Sequence, residues 1–197
     1  MGALELGLLA AMCWGFHDVC VRFISQKTPI SACIFIVLIV GLIFHICLMM
    51  PSKEISTITK AAFTYASIAG VSFVIASFSL YYAFKRGPVK LVAPLIASYP
   101  ILSITWAIWI GTPVSKLQIL AVLAIILGVS IVAIMSDNSE EEIPPIGKTI
   151  ALSIVAAIAF ACTFALGQAA AELSPHMSAT LVTRIISILI CAVIIYF

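Results

Sequence analysis

The chain is 197 residues long, 63% apolar and only 9% charged, against about 25% charged in an ordinary soluble domain; so few charges cannot coat a globule of this size, which excludes a water-soluble fold. The net charge of +2 comes from scattered groups without a basic stripe, so nucleic-acid binding has no support. The six cysteines all lie in apolar stretches, without CxxC or His/Cys spacing; they read as small buried hydrophobes, and no metal or cofactor is implied.

A hydrocarbon core of roughly 30 Å asks for about 20 apolar residues per helix. The chain divides at polar and Pro-containing breaks into seven such stretches. They are continuous apolar runs, not the alternating pattern of a membrane barrel, so the expected fold is an all-α polytopic membrane protein with seven transmembrane helices. The first, Leu4–Ile24, has no basic leader and carries Leu6 where a myristoylation signal wants Ser or Thr, so it is expected to be a retained span. Its Gly7, Ala11, Trp14, Asp18 and Arg22 share one helical face, with His17 beside them. A carboxylate at the bilayer centre costs a few kcal/mol, so Asp18 is expected to face the bundle or a wet cavity. Two readings are open: a cation- or proton-coupling site shared with His17, or an i,i+4 pair with an Arg22 that snorkels to the interface.

The second span, Ser31–Met50, carries His45, expected as an ordinary helix residue. The third, Ala61–Phe84, aligns Ser67, Gly70, Val74, Ser77 and Tyr81, and the fourth, Val89–Ile110, aligns Leu91, Pro94, Ser98, Ile101 and Thr105. Small and hydroxyl residues in such stripes either let helices approach closely or line a polar path. In the fourth span Pro94 and Pro100 each remove a backbone hydrogen bond near mid-membrane, which is tolerated only inside protein or beside a water-filled cavity. Tyr81 and Tyr99 are candidates for the cavity wall, where ring and hydroxyl together suit amphipathic or cationic solutes. After the fifth span, Leu117–Met135, an acidic, Pro-containing segment over 137–147 reads as a linker. The sixth span, Lys148–Ala171, offers Gln168 either to the cavity or as interhelical glue. The last, Met177–Phe197, holds Arg184 some 10 Å along its axis, where it needs a carboxylate, a carbonyl or an anionic substrate.

A shift of 146 residues lays the chain on itself: Ala10-Ala11 meets Ala156-Ala157, Trp14 meets Phe160, and Thr28-Pro29 meets Ser174-Pro175. Five spans in 1–136 followed by two in 148–197 therefore read as one five-helix unit and the start of a second. An odd number of crossings inverts the second unit, as in the inverted repeats of secondary transporters. The expectation is a chain truncated before the rest of its second unit. Lys/Arg in alternate loops, with Lys53, Lys60 and Lys116 on one side against Arg22, Lys27, Lys85, Arg86, Lys90 and Lys148 on the other, favour an external N-terminus by the positive-inside rule.

Gly87-Pro88-Val89-Lys90-Leu91-Val92-Ala93-Pro94-Leu95, then Ser98-Tyr99-Pro100, Gly111, Leu117-Gln118 and Ile126-Leu127-Gly128-Val129, resemble the third-to-fifth-helix signature of the EamA-type carriers in the drug/metabolite transporter superfamily. Ala11 to Phe16 is similar to the opening of that family's repeat, and Ser174-Pro175 with Arg184 to the opening of its second repeat. The resemblance implies ten helices in two inverted repeats, both termini in the cytoplasm, and a multi-pass protein of the bacterial inner membrane. Two positions depart from it: Gly111-Thr112-Pro113 replaces the usual Gly-Glu, and the first repeat has no Arg matching Arg184.

The resulting expectation is a secondary transporter that moves a small metabolite or amphipathic compound by alternating access, by export or exchange. The partners expected are a small-molecule substrate, membrane lipid and a coupling proton or cation. Candidate cavity residues are Trp14, His17, Asp18, Ser77, Tyr81, Pro94, Ser98, Tyr99, Gln168 and Arg184. The alternative is a seven-helix receptor or other non-transport membrane protein, although the last span carries no Lys for a retinal Schiff base. An intramembrane enzyme lacks Gly-x-Ser-x-Gly, His-Glu-x-x-His and paired-Asp motifs.

Overall fold

The computed structural model describes residues 2–52, 57–135 and 146–197; the acidic linker, apart from its last two residues, and Lys53 lie outside them. Among the described residues every regular element is an α-helix: α1 (Ala3–Lys27), α2 (Ile30–Ser52), α3 (Lys60–Arg86), α4 (Val89–Ile96), α5 (Tyr99–Trp109), α6 (Lys116–Met135), α7 (Ile146–Leu173) and α8 (His176–Tyr196). Six apolar segments are long enough to cross a membrane, with α4 and α5 together making one of them; Lys116–Ile131 within α6 is a shorter apolar helix. The protein is an integral, multi-pass membrane protein.

The turns follow the local chemistry. Thr28 is extended, at φ −126° and ψ 146°, as the residue before Pro29 must be, and it stops α1. Thr59 caps α3 by accepting from the Ala62 N–H at 3.2 Å. The Thr59 N–H donates in turn to the Ser174 hydroxyl at 3.0 Å, which pins the start of α3 to the α7–α8 turn. The fourth span, in which Pro94 and Pro100 are expected to remove backbone bonds, is broken into two helices. Pro100 has no N–H to give the Ile96 carbonyl, so α4 ends at Ile96 and α5 starts at Tyr99. The Ser98 hydroxyl donates to the Leu95 carbonyl at 2.6 Å, a side-chain bond that reinforces the turn at the break.

Helix α3 is the centre of the bundle: α1, α2, α4, α7 and α8 all pack on it, α7 most extensively. Its buried residues include a run of small ones, Ala62, Ala66, Ala69, Gly70, Ala76 and Ala83, beside Val74, Leu80, Tyr81 and Phe84, and α7 likewise buries Ala156, Ala157 and Ala161 around Phe160. Against α8, Thr183 donates to the Ala66 carbonyl at 3.1 Å and Ser187 to the Gly70 carbonyl at 3.0 Å. Among the described residues, helix α6 packs on α4 and α5, and α1 leaves Leu8, Met12, Phe16 and Phe23 exposed as a lipid-facing stripe.

Two coincidences relate the ends of the chain. Helix α1 ends at Lys27 and α7 at Leu173, and α2 begins at Ile30 and α8 at His176, each pair 146 residues apart. Helices α2 and α8 also run antiparallel in matching register. The Cys191 thiol faces the Ser31 carbonyl at 3.8 Å at one end of the crossing, and the His45 Nε2 faces the Met177 carbonyl at 2.9 Å at the other. The same 146-residue shift turns one contact into the other.

A Cβ on Gly70 would stand 2.8 Å from the Thr183 carbonyl oxygen, which is backbone and moves only if α3 and α8 separate. Gly70→Ala is therefore expected to cost about 1–3 kcal/mol, seen as a lower melting temperature of the detergent-solubilised protein. An unchanged melt would show that the crossing has slack.

Candidate functional site: an aromatic cavity at mid-helix

A cavity of about 260 Å³ opens between α1, α2, α3 and α7. It lies near the midpoints of α1, α3 and α7, where a membrane-spanning bundle is farthest from water on both sides. Helix α1 contributes Cys13, Trp14 and His17, and α3 contributes Phe73, Ser77, Leu80 and Tyr81. Both sets follow the three-to-four-residue spacing that puts side chains on one helical face. Helix α2 adds the aliphatic Ile34, Val37 and Leu38, and α7 adds Phe160.

Phe160 organises the wall. Its ring meets Trp14 edge to face at 5.9 Å, Phe73 at 6.2 Å and Tyr99 at 6.5 Å, and stacks on Phe164 at 6.2 Å. Each distance lies within the range at which aromatic pairs attract beyond simple burial. Trp14 and Phe160 are the residues that the 146-residue shift superposes, and they touch each other at the cavity.

The polar part of the wall is a short chain of groups. The His17 Nδ1 stands 3.1 Å from the Asp18 Oδ1. A carboxylate only accepts, so this nitrogen carries the proton and Nε2 is the free acceptor. The Tyr81 hydroxyl reaches Nε2 at 3.5 Å, the outer limit of a hydrogen bond, and its ring lies 6.0 Å from the imidazole. Trp14 closes on the other side of His17, edge to face at 5.3 Å. The arrangement places an imidazole between a carboxylate and a phenol hydroxyl at the cavity wall.

Arg22 reaches across to α3, where its Nη1 donates to the Phe84 carbonyl at 2.7 Å and to that of Lys85 at 3.3 Å. These carbonyls belong to the last turn of α3 and have no donor within the helix. The guanidinium thus caps α3 and ties α1 to it at one end of the cavity.

The ten residues singled out in the sequence are only partly gathered here. Trp14, His17, Ser77 and Tyr81 line the cavity, and Asp18 stands behind His17. Tyr99 forms an outer layer, 5.2 Å from Phe164 and packed behind Phe160. Pro94 lies within α4 and Ser98 in the α4–α5 break, and neither lines the cavity. Gln168 is exposed, and its amide donates to Glu172 at 3.1 Å. Arg184 lies on α8 against Gly41 of α2. Sequence reasoning passed over Phe73, although it sits one turn from Ser77 on the same stripe. It also passed over Ile34, Val37 and Leu38, which no periodicity marks in a helix apolar on every side. His45 is buried and its ring bonds the Met177 carbonyl, the structural role expected of it. Among the described residues, no three His, Cys, Asp or Glu side chains converge as metal ligands.

The chain matches the EamA-like transporter family over residues 1–134. It belongs to that family. Transporters of the drug/metabolite superfamily are thus its kin. The chain is also 30% identical over 133 residues to an uncharacterized protein of Methanocaldococcus jannaschii, which covers 67% of this chain and 96% of that protein. No solved structure matches it significantly.

Phe160 is only 3% exposed and holds four rings together. Phe160→Ala is expected to cost about 3–5 kcal/mol and to appear as a lower detergent melting temperature. A loss below about 1 kcal/mol would mean that the cavity wall closes without it.

Proposed function

We propose that this EamA-family protein is a secondary carrier that binds a small metabolite or amphipathic compound in the aromatic cavity and exposes it alternately to the two sides of a cell membrane. One observation carries the reading: a single cavity is lined jointly by residues of α1, α2 and α3 and by Phe160 of α7. Trp14 and Phe160, counterparts under the 146-residue shift, meet in its wall.

The domain arrangement proposed with it is a five-span unit over 1–136, a linker over 137–147 and the beginning of an inverted second unit over 148–197. The coincident ends of α1 and α7, the coincident starts of α2 and α8, and the exchangeable contacts between α2 and α8 support that arrangement. Under a two-fold axis in the membrane plane, rocking one unit against the other opens the cavity first to one side and then to the other. The apolar rings supply contact area at little conformational cost, which suits a solute with an apolar body.

His17, Asp18 and Tyr81 are the proposed coupling device. Protonation of His17 creates an imidazolium beside the Asp18 carboxylate, and loss of that proton leaves the carboxylate facing a neutral ring. The two states differ by one charge at the cavity wall, which is the differential interaction needed to bias two conformations. Direction of transport follows from the imposed gradients.

In sealed proteoliposomes with an imposed pH gradient, accumulation of radiolabelled small aromatic solutes is expected with the wild-type chain. Asp18→Asn is expected to lose the gradient-driven component by about tenfold or more while keeping its detergent melting temperature, because one charged hydrogen bond is removed from the coupling state. Wild-type accumulation by the variant would remove Asp18 from the coupling device. Absence of gradient-driven accumulation by the wild-type chain would overturn the carrier reading.

A further inference from the structure

Arg184 is the one strong charge of α8, and its surroundings do not account for it. Its Nε is buried without a hydrogen-bond partner, and among the described residues no carboxylate faces it. Glu5 accepts from the Gly2 N–H, Asp18 from His17 and Glu172 from Gln168. A guanidinium inside a membrane is retained only where something satisfies it. Arg184 does not reach out to the interface, because its head rests on the backbone of α2. A Cβ built on Gly41 would collide with Nη1, so the absent side chain makes the guanidinium's seat.

The register of α2 and α8 puts this seat one turn of α2 past the cavity-lining Leu38, with neither Gly41 nor Arg184 part of the wall itself. The contacts Ser31–Cys191 and His45–Met177 mark the two ends of the antiparallel crossing, and the residues midway between them are Leu38 on α2 and Arg184 on α8. Leu38 lines the cavity, and Gly41 follows one turn later. The same two residues are counterparts under the 146-residue shift. One side of the crossing therefore tolerates a leucine where the other keeps an arginine, so helix packing by itself does not demand a cation at this level.

Resting on the carrier reading above, we propose that Arg184 receives the anionic end of the transported solute, and that the solute is an organic carboxylate whose apolar body fills the aromatic cavity. A planar guanidinium binds a carboxylate through two parallel N–H···O bonds, a geometry that a lysine does not offer. Ile34, Val37, Leu38 and Phe160 supply an apolar wall for the rest of the molecule. At about 260 Å³ the cavity lies just below the range of roughly 300–1,000 Å³ typical of drug-sized ligands, which limits the body to about one ring.

Three probes with the same ring separate charge from shape: benzoate, benzyl alcohol and benzylamine. Equilibrium dialysis of the full chain in detergent at neutral pH is expected to show benzoate bound about tenfold more tightly than either other probe, the scale of a charge-assisted pair. Arg184→Gln is expected to erase that preference, and Arg184→Lys to keep only part of it. Gly41→Ala leaves the arginine present but takes its seat, and is expected to reduce the preference as well, which keeps the test valid if Arg184→Gln fails to fold. A preference for benzoate that survives in Arg184→Gln, or a wild-type preference for benzylamine, would overturn the assignment and leave the cavity as a binding site. Failure of the wild-type chain to bind any of the three would overturn the cavity reading and this assignment together.

Discussion

The structure depends on how closely helix backbones can approach one another around α3. In lipid, a leucine on a helix surface gains nothing by turning inward, so packing and interhelical hydrogen bonds must hold the bundle together. The face of α3 built from Ala62, Ala66, Ala69, Gly70, Ala76 and Ala83 makes that approach possible. Thr183 and Ser187 then bond carbonyls of the neighbouring helix, not only their own. Two of the rings of α3, Phe73 and Tyr81, line the cavity.

Polar groups inside the bundle are used with economy. The Ser98 hydroxyl adds a bond to the Leu95 carbonyl at the broken fourth span, Arg22 bonds carbonyls in the last turn of α3, and His45 bonds the Met177 carbonyl in the first turn of α8. Arg22 thereby closes acceptors that a helix end leaves open, a strong requirement on backbone in a medium without water. Against that background, the groups not spent on backbone stand out. They are His17 with Asp18 and Tyr81 on one side of the cavity, and Arg184 on the α2–α8 crossing at the level of Leu38.

The paired helix ends, 146 residues apart, give these exceptions a frame. Where two halves of a chain share geometry, residues that differ between counterparts carry what geometry does not require. Trp14 and Phe160 differ little and meet as packed rings. Leu38 and Arg184 differ by a charge, and His45 and Cys191 differ in donor strength yet hold equivalent carbonyls.

Composition alone determined the solvent of this protein, because charges this sparse leave no alternative to lipid, and the turn residues determined most of the helix limits. Thr28-Pro29 and Arg86-Gly87-Pro88 end α1 and α3 where backbone chemistry ends helices, since proline restricts the residue before it and removes a donor. Helical spacing also brought out Trp14, His17, Ser77 and Tyr81, because residues three and four apart share a face whatever they pack against. The tertiary structure decided everything that depends on partners distant in the chain. It brought Arg22 to carbonyls more than sixty residues away and turned Gln168 outward. It also selected Ile34, Val37 and Leu38 of α2 as cavity wall, a choice invisible in a helix apolar on all sides, where only the neighbours distinguish an inward residue from a lipid-facing one.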